Sequence, residues 1–94
     1  MKKTSQQFES VWDALADTTQ EAGNLCLRAE LMQQIEAIIK KEKWTRAVAA
    51  AKCGVTQPRI SDLLRGRVSL FSLDALVNVA TSLGRKVRVE IEAA

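Results

Sequence analysis

Histidine and tyrosine are absent from the 94-residue chain, and proline occurs once, at Pro58. Without histidine there is no imidazole to move protons near neutral pH and no Cys/His zinc site. Neither a glycine-rich phosphate loop nor a Gly-x-Ser-x-Gly elbow is present, so nothing argues for catalysis. No enzyme, cofactor or bound metal is expected. The two cysteines, Cys26 and Cys53, stand in no metal-ligand or redox spacing, and read as small core hydrophobes of a reducing cytoplasm. No apolar run reaches the ~18 residues of a membrane span. After Met1-Lys2-Lys3 comes polar Thr4-Ser5-Gln6-Gln7, where a signal peptide would need an apolar run. The expectation is a cytoplasmic protein with no membrane partner.

What is abundant is apolar and helix-forming. Apolar residues make up 47% of the chain, enough for a folded core, and the length suits one domain. Ala, Leu, Lys, Arg, Glu and Gln dominate and favour helices. The net charge of +3 permits a nucleic-acid partner without requiring one.

Punctuation divides the chain. Phe8, Val11, Trp12 and Leu15 form one stripe of a short helix over residues 6–16. Residues 17–23, polar and containing Gly23, read as a linker. Asn24 is a candidate N-cap for a helix over residues 25–42, with Leu27, Leu31, Ile35 and Ile38 as core stripe and Met32 and Ile39 flanking it. Trp44 is assigned to the core. Thr45 can cap a helix that Gly54 ends, and Thr56 can cap the next, with Pro58 in its first turn. Ser72 caps a last helix whose stripe is Leu73, Leu76, Val77, Ala80 and Leu83. Residues 86–92 alternate apolar and charged with period two and predict a strand. The expected fold is mainly α: a five-helix-type domain with an N-terminal helical extension (residues 1–23), a central domain (24–84) and a C-terminal dimerisation strand (85–94).

Residues 46–66 are the informative stretch. Two helices that meet closely at a large angle need a small residue in the first, and Ala50 supplies it; the turn needs a glycine, and Gly54 stands four residues later. Val55, Ile60 and Leu63 can pin the second helix to the first. At ~100° per residue, Ile60, Leu63 and Leu64 share one face of it, while Pro58, Ser61, Asp62 and Arg65 face away. Gln57 and Arg59 flank its N-terminus, where recognition helices touch base edges. Gln pairs with adenine, Arg with guanine, and a proline ring packs on a thymine methyl. The DNA-contact candidates are Arg46, Thr56, Gln57, Pro58, Arg59, Ser61, Arg65 and Arg67. Two of the assignments have rivals: Arg59 either reads a base or pairs with Asp62, and Arg65 and Arg67 either clamp phosphates or are solvated surface. Asp62 is read as an orienting partner for Arg59 or Arg65.

With its small residue, glycine, hydrophobic pins and capped second helix, this stretch resembles the Cro/phage-repressor helix-turn-helix family, also called the xenobiotic-response-element family, over about residues 31–84. Arg46 stands where that family often has glutamine. The run from Gly54 to Gly66, with Phe71-Ser72-Leu73-Asp74, Leu83-Gly84, Trp44-Thr45 and the C-terminal strand, is similar to the HigA-like antitoxin branch. That resemblance implies a dimer that binds a palindromic operator, represses its own operon and blocks a RelE/ParE-type toxin. Phe8, Val11, Trp12 and Leu15 are then the toxin-binding candidates, the alternative being that this stripe folds onto the core. A plain repressor and an adaptor without DNA binding are the competing functions.

The strand predicts its own partner. Antiparallel pairing with a second copy about Val89 sets Val87 against Ile91, Arg88 against Glu90 and Lys86 against Glu92, matching both charged pairs, whereas an axis at Arg88 or Glu90 sets like charges opposite. Val87, Arg88, Val89, Glu90 and Ile91 are the dimerisation candidates. The rival arrangement leaves the strand along its own domain and dimerises through the last helix.

Overall fold

The computed structural model describes residues 19–93, and the expected helix carrying Phe8, Val11, Trp12 and Leu15 lies outside them. Four α-helices and one short 3-10 turn form the described fold: α1 Thr19–Glu42, α2 Arg46–Cys53, α3 Gln57–Leu64, the turn Val68–Leu70, and α4 Leu73–Ser82.

The caps are local chemistry. Thr45, Thr56 and Ser72 have extended backbones, and their hydroxyl oxygens accept from the N–H groups of Val48, Arg59 and Ala75. Each satisfies a backbone donor that the first helical turn leaves unpaired. Gly54 adopts φ 73°, and its N–H and that of Val55 both donate to Ala50 O, at 2.9 and 3.0 Å. A side chain there would be strained at that φ.

The start of α1 differs from the sequence expectation. Residues 19–23 are helical, so Thr19–Gly23 are no linker and Asn24 lies inside the helix as no cap. Ala22 and Leu25 are both buried, and burial three residues apart favours continuing the helix through Gly23, whose cost is about 1 kcal/mol.

The buried stripes are also rotated. On α1 the core takes Met32, Ile35 and Ile39, while Leu31 is partly buried and Leu27 is exposed. On α4 it takes Leu76, Val79 and Ala80, leaving Leu73 and Val77 half-exposed. With Ala49, Ala50, Cys53, Ile60, Leu63 and Phe71 these residues make one core beneath the α2–α3 pair. Trp44 is half-buried against it, with the Lys52 ammonium 5.4 Å from its ring centre.

No strand forms among the described residues, and residues 85–93 have no regular structure in the single chain. The expected strand has no partner to pair with there, because extended backbone becomes a strand only by hydrogen bonding to a neighbour. No described helix is long and apolar enough to cross a membrane.

Both cysteines are free thiols. Burial pushes the Cys53 thiol up, and burial with the nearby Glu30 carboxylate pushes up Cys26. A raised thiol pKa means that the folded state holds its proton more tightly than the unfolded state. Cys53 therefore contributes full stability below the ordinary thiol range, and that contribution is lost as pH rises through its folded pKa. Alkylation is expected to label Cys26 first and Cys53 only on unfolding; equal rates in native buffer would contradict the burial.

Candidate nucleic-acid interface

The α2–α3 pair follows from small residues and a left-handed glycine. Ala49 and Ala50 have little side chain to hold the helices apart, and Gly54 turns the chain so that Ile60 and Leu63 of α3 drop into the same core. One face of α3 is thereby buried and its N-terminal end is presented outward. Thr56, Gln57 and Pro58 are exposed there, and Ser61 and Asp62 are half-buried along the same helix. The Thr56 oxygen accepts the Arg59 N–H at 3.4 Å, which leaves the hydroxyl hydrogen free to donate to a ligand.

Charge distinguishes these two helices from the others. α1 and α4 carry an acid in the first turn, Glu21 and Asp74. α2 and α3 carry none; they begin with Arg46 and with Gln57-Pro58-Arg59. A cation at a helix N-terminus opposes the macrodipole, so Arg46 does not serve the stability of α2. A helix N-terminus without an acid, beside a guanidinium, suits an anion.

Arg59 is not extended into solvent. Its Nη1 donates to Leu70 O at 3.1 Å, and its guanidinium lies 4.4 Å from the centre of the Phe71 ring. Phe71 is only 2% exposed, so the stacking surface is fixed by the core. One of five N–H donors is engaged and the remaining edge is available. Asp62 pairs with neither Arg59 nor Arg65. It receives Arg67 Nη1 at 3.5 Å, across the bend at Gly66. The cause is that bend: φ 72° at Gly66 brings the Arg67 N–H back to Asp62 O at 3.1 Å, and the side chains follow. A long, half-exposed pair of this kind contributes little. Arg65 and Arg46 are exposed.

Sequence reading missed Arg28. It reaches from α1 to the 68–71 segment, where Nη1 donates to Phe71 O at 2.8 Å and to Val68 O at 3.4 Å. Its Nε is buried without a partner among the described residues. With Arg59 on Leu70 O, two arginines hold three carbonyls of the segment that follows α3. The signal was available: Arg28, Met32 and Ile35 share one helical face, and a cation on a core face needs carbonyl partners. Arg28→Met keeps the packing of the stem and is expected to cost about 1.5–3 kcal/mol of unfolding free energy in urea melts. A loss below about 0.5 kcal/mol would show the carbonyls equally satisfied by water.

A family model described as a helix-turn-helix domain matches residues 14–92 of the chain. The search of curated proteins gave no match.

Proposed function

The chain belongs to this helix-turn-helix domain family, which makes it a DNA-binding regulator, and from that premise we propose that it is an operator-binding repressor and the antitoxin of a toxin–antitoxin pair. The observation that carries DNA reading is that the N-terminal ends of α2 and α3 are free of acids and bear arginine, with Arg46, Gln57 and Pro58 exposed. In this reading Gln57 and Arg59 contact base edges and the Pro58 ring packs on a thymine methyl. Arg46, Thr56, Ser61, Arg65 and Arg67 hold phosphates, which fix register without reading sequence.

The antitoxin reading is supported by the resemblance to HigA-like proteins. In it the chain works in the cytoplasm, represses its own operon as a homodimer, and neutralises a RelE/ParE-like toxin through Phe8, Val11, Trp12 and Leu15. Dimerisation runs through residues 85–94, paired about Val89. Charge arithmetic gives its test. Arg88→Glu sets two acids opposite in each half and is expected to weaken the dimer in sedimentation equilibrium. Adding Glu90→Arg restores opposite charges and is expected to restore it, each matched pair being worth roughly 0.2–1 kcal/mol. A double variant as weak as the single one would reject the register.

The function as a whole is tested by footprinting the protein on its own promoter, and by co-purifying it with the product of the adjacent reading frame. A protected palindrome and a toxin complex lost on deleting residues 1–20 are the expected results. Protection without a complex leaves a plain repressor; a complex without protection leaves an adaptor.

A further inference from the structure

The residues that sequence periodicity assigns to the core, but that the fold leaves partly exposed, lie together. Leu27, Leu31 and Ile38 of α1 and Leu73 and Val77 of α4 form two walls of one groove of about 570 Å³, and the tail residues from Arg85 to Val89 form its third side. On α1, Leu27, Leu31 and Ile38 share one helical face with the polar Gln34 and Lys41. α1 thus carries apolar residues on two sides, one against its own core and a partly polar one on the groove. Val89, at the groove's edge, is still 67% exposed, and beyond it Ile91 is 99% exposed.

From these placements we infer that the groove is completed by Ile91 of a second copy of this chain. The inference rests on the tail-to-tail dimer proposed above and adds what that pairing covers. In an extended tail Val87, Val89 and Ile91 point to one side, and Val87 and Val89 already line the groove. Antiparallel pairing about Val89 sets the second copy's Ile91 directly beside Val87 on that same side. It therefore lies over Leu31, Ile38 and Val77, which one tail alone leaves open. The flanking charges agree: on the opposite side of the tail from Val87 and Val89, the incoming tail brings Glu92 beside Lys86 and Glu90 beside Arg88. Two-fold symmetry repeats the insertion in the other protomer, so one residue type closes two grooves.

Sedimentation equilibrium of the full-length protein with Ile91→Asp and Ile91→Leu tests this. Ile91 is almost wholly exposed in the single chain, so neither change disturbs the protomer's own core, and unchanged circular dichroism is the check. Ile91→Asp is expected to raise the dimer dissociation constant about a hundredfold or more, and Ile91→Leu to restore it to within about tenfold of wild type. A wild-type protein that stays monomeric at hundreds of micromolar overturns the proposal, as does an Ile91→Asp dimer as tight as wild type, which would assign the groove to another occupant. Operator titration separates this from the DNA reading. Ile91→Asp protein that recovers operator affinity once its concentration exceeds the weakened dissociation constant confirms both. A dimer weakened as expected, in a protein whose wild type has no operator preference, upholds the groove and rejects the DNA reading.

Discussion

Replacing Ile60 with alanine is expected to lower the unfolding free energy by about 2–5 kcal/mol, the range for removing a buried branched side chain from a core that relaxes only in part. Ile60 is 0% exposed and, with Leu63, seats α3 on the core shared by α1, α2 and α4. Domains of this size have roughly 5–15 kcal/mol in total, so the loss is a large share. It should appear as a fall of some 10 °C or more in the melting temperature by circular dichroism. Val48→Ala is the control. Val48 lies on α2 but is exposed, and a change there should stay within about 0.5 kcal/mol. Equal effects at the two positions would mean that α3 is not seated as described.

The second large effect is on binding. Gln57→Ala with Arg59→Ala is expected to weaken operator affinity by roughly 2–6 kcal/mol, from two base-directed contacts of ~1–3 kcal/mol each, while affinity for scrambled DNA falls much less. Arg59 carries a further consequence. Its guanidinium is held by the Phe71 ring and the Leu70 carbonyl before any ligand arrives, so less side-chain freedom is lost on binding. Arg59→Lys keeps the charge but has neither the planar stack nor the fork. It should therefore behave in operator titrations much as Arg59→Ala does. Full affinity for Arg59→Lys would reduce Arg59 to a point charge.

Features written in neighbouring residues were legible in the sequence. Thr45, Thr56 and Ser72 as caps and Gly54 as the left-handed turn depend on contacts within a few positions, and the structure has them there. Features decided by packing partners were less so. α1 and α4 are apolar over wide arcs, so periodicity located an apolar face without showing which edge of it meets the core. Ile35, Leu76 and Ala80 are buried as the stripes place them, but Leu27, Leu31, Ile38, Leu73 and Val77 are not, and the fold buries Met32, Ile39 and Val79 instead. The linker at residues 17–23 was read from polarity and Gly23, but burial of Ala22 outweighs one glycine. At the site, the exposed end of α3 followed from helix geometry. The Arg59–Leu70, Arg67–Asp62 and Arg28–Phe71 contacts did not, since they depend on where the 68–71 segment returns. The tail's alternation was visible, yet a strand is a property of two segments, and one chain supplies only one.

In the proposed function α3, flanked by Arg46, Arg65 and Arg67, reads an operator by laying base-contacting residues into a groove while arginines neutralise phosphates. The most direct test is the salt dependence of operator affinity, measured by fluorescence anisotropy from about 50 to 200 mM salt for the wild type and for Arg46→Ala, Arg65→Ala and Arg67→Ala. Neutralising phosphates releases counterions, so log affinity should fall linearly with log salt. Each alanine substitution should reduce that slope by about one for every phosphate that a subunit no longer neutralises. A wild-type affinity that is insensitive to salt, or slopes that none of the three substitutions changes, would rule out phosphate neutralisation by these arginines.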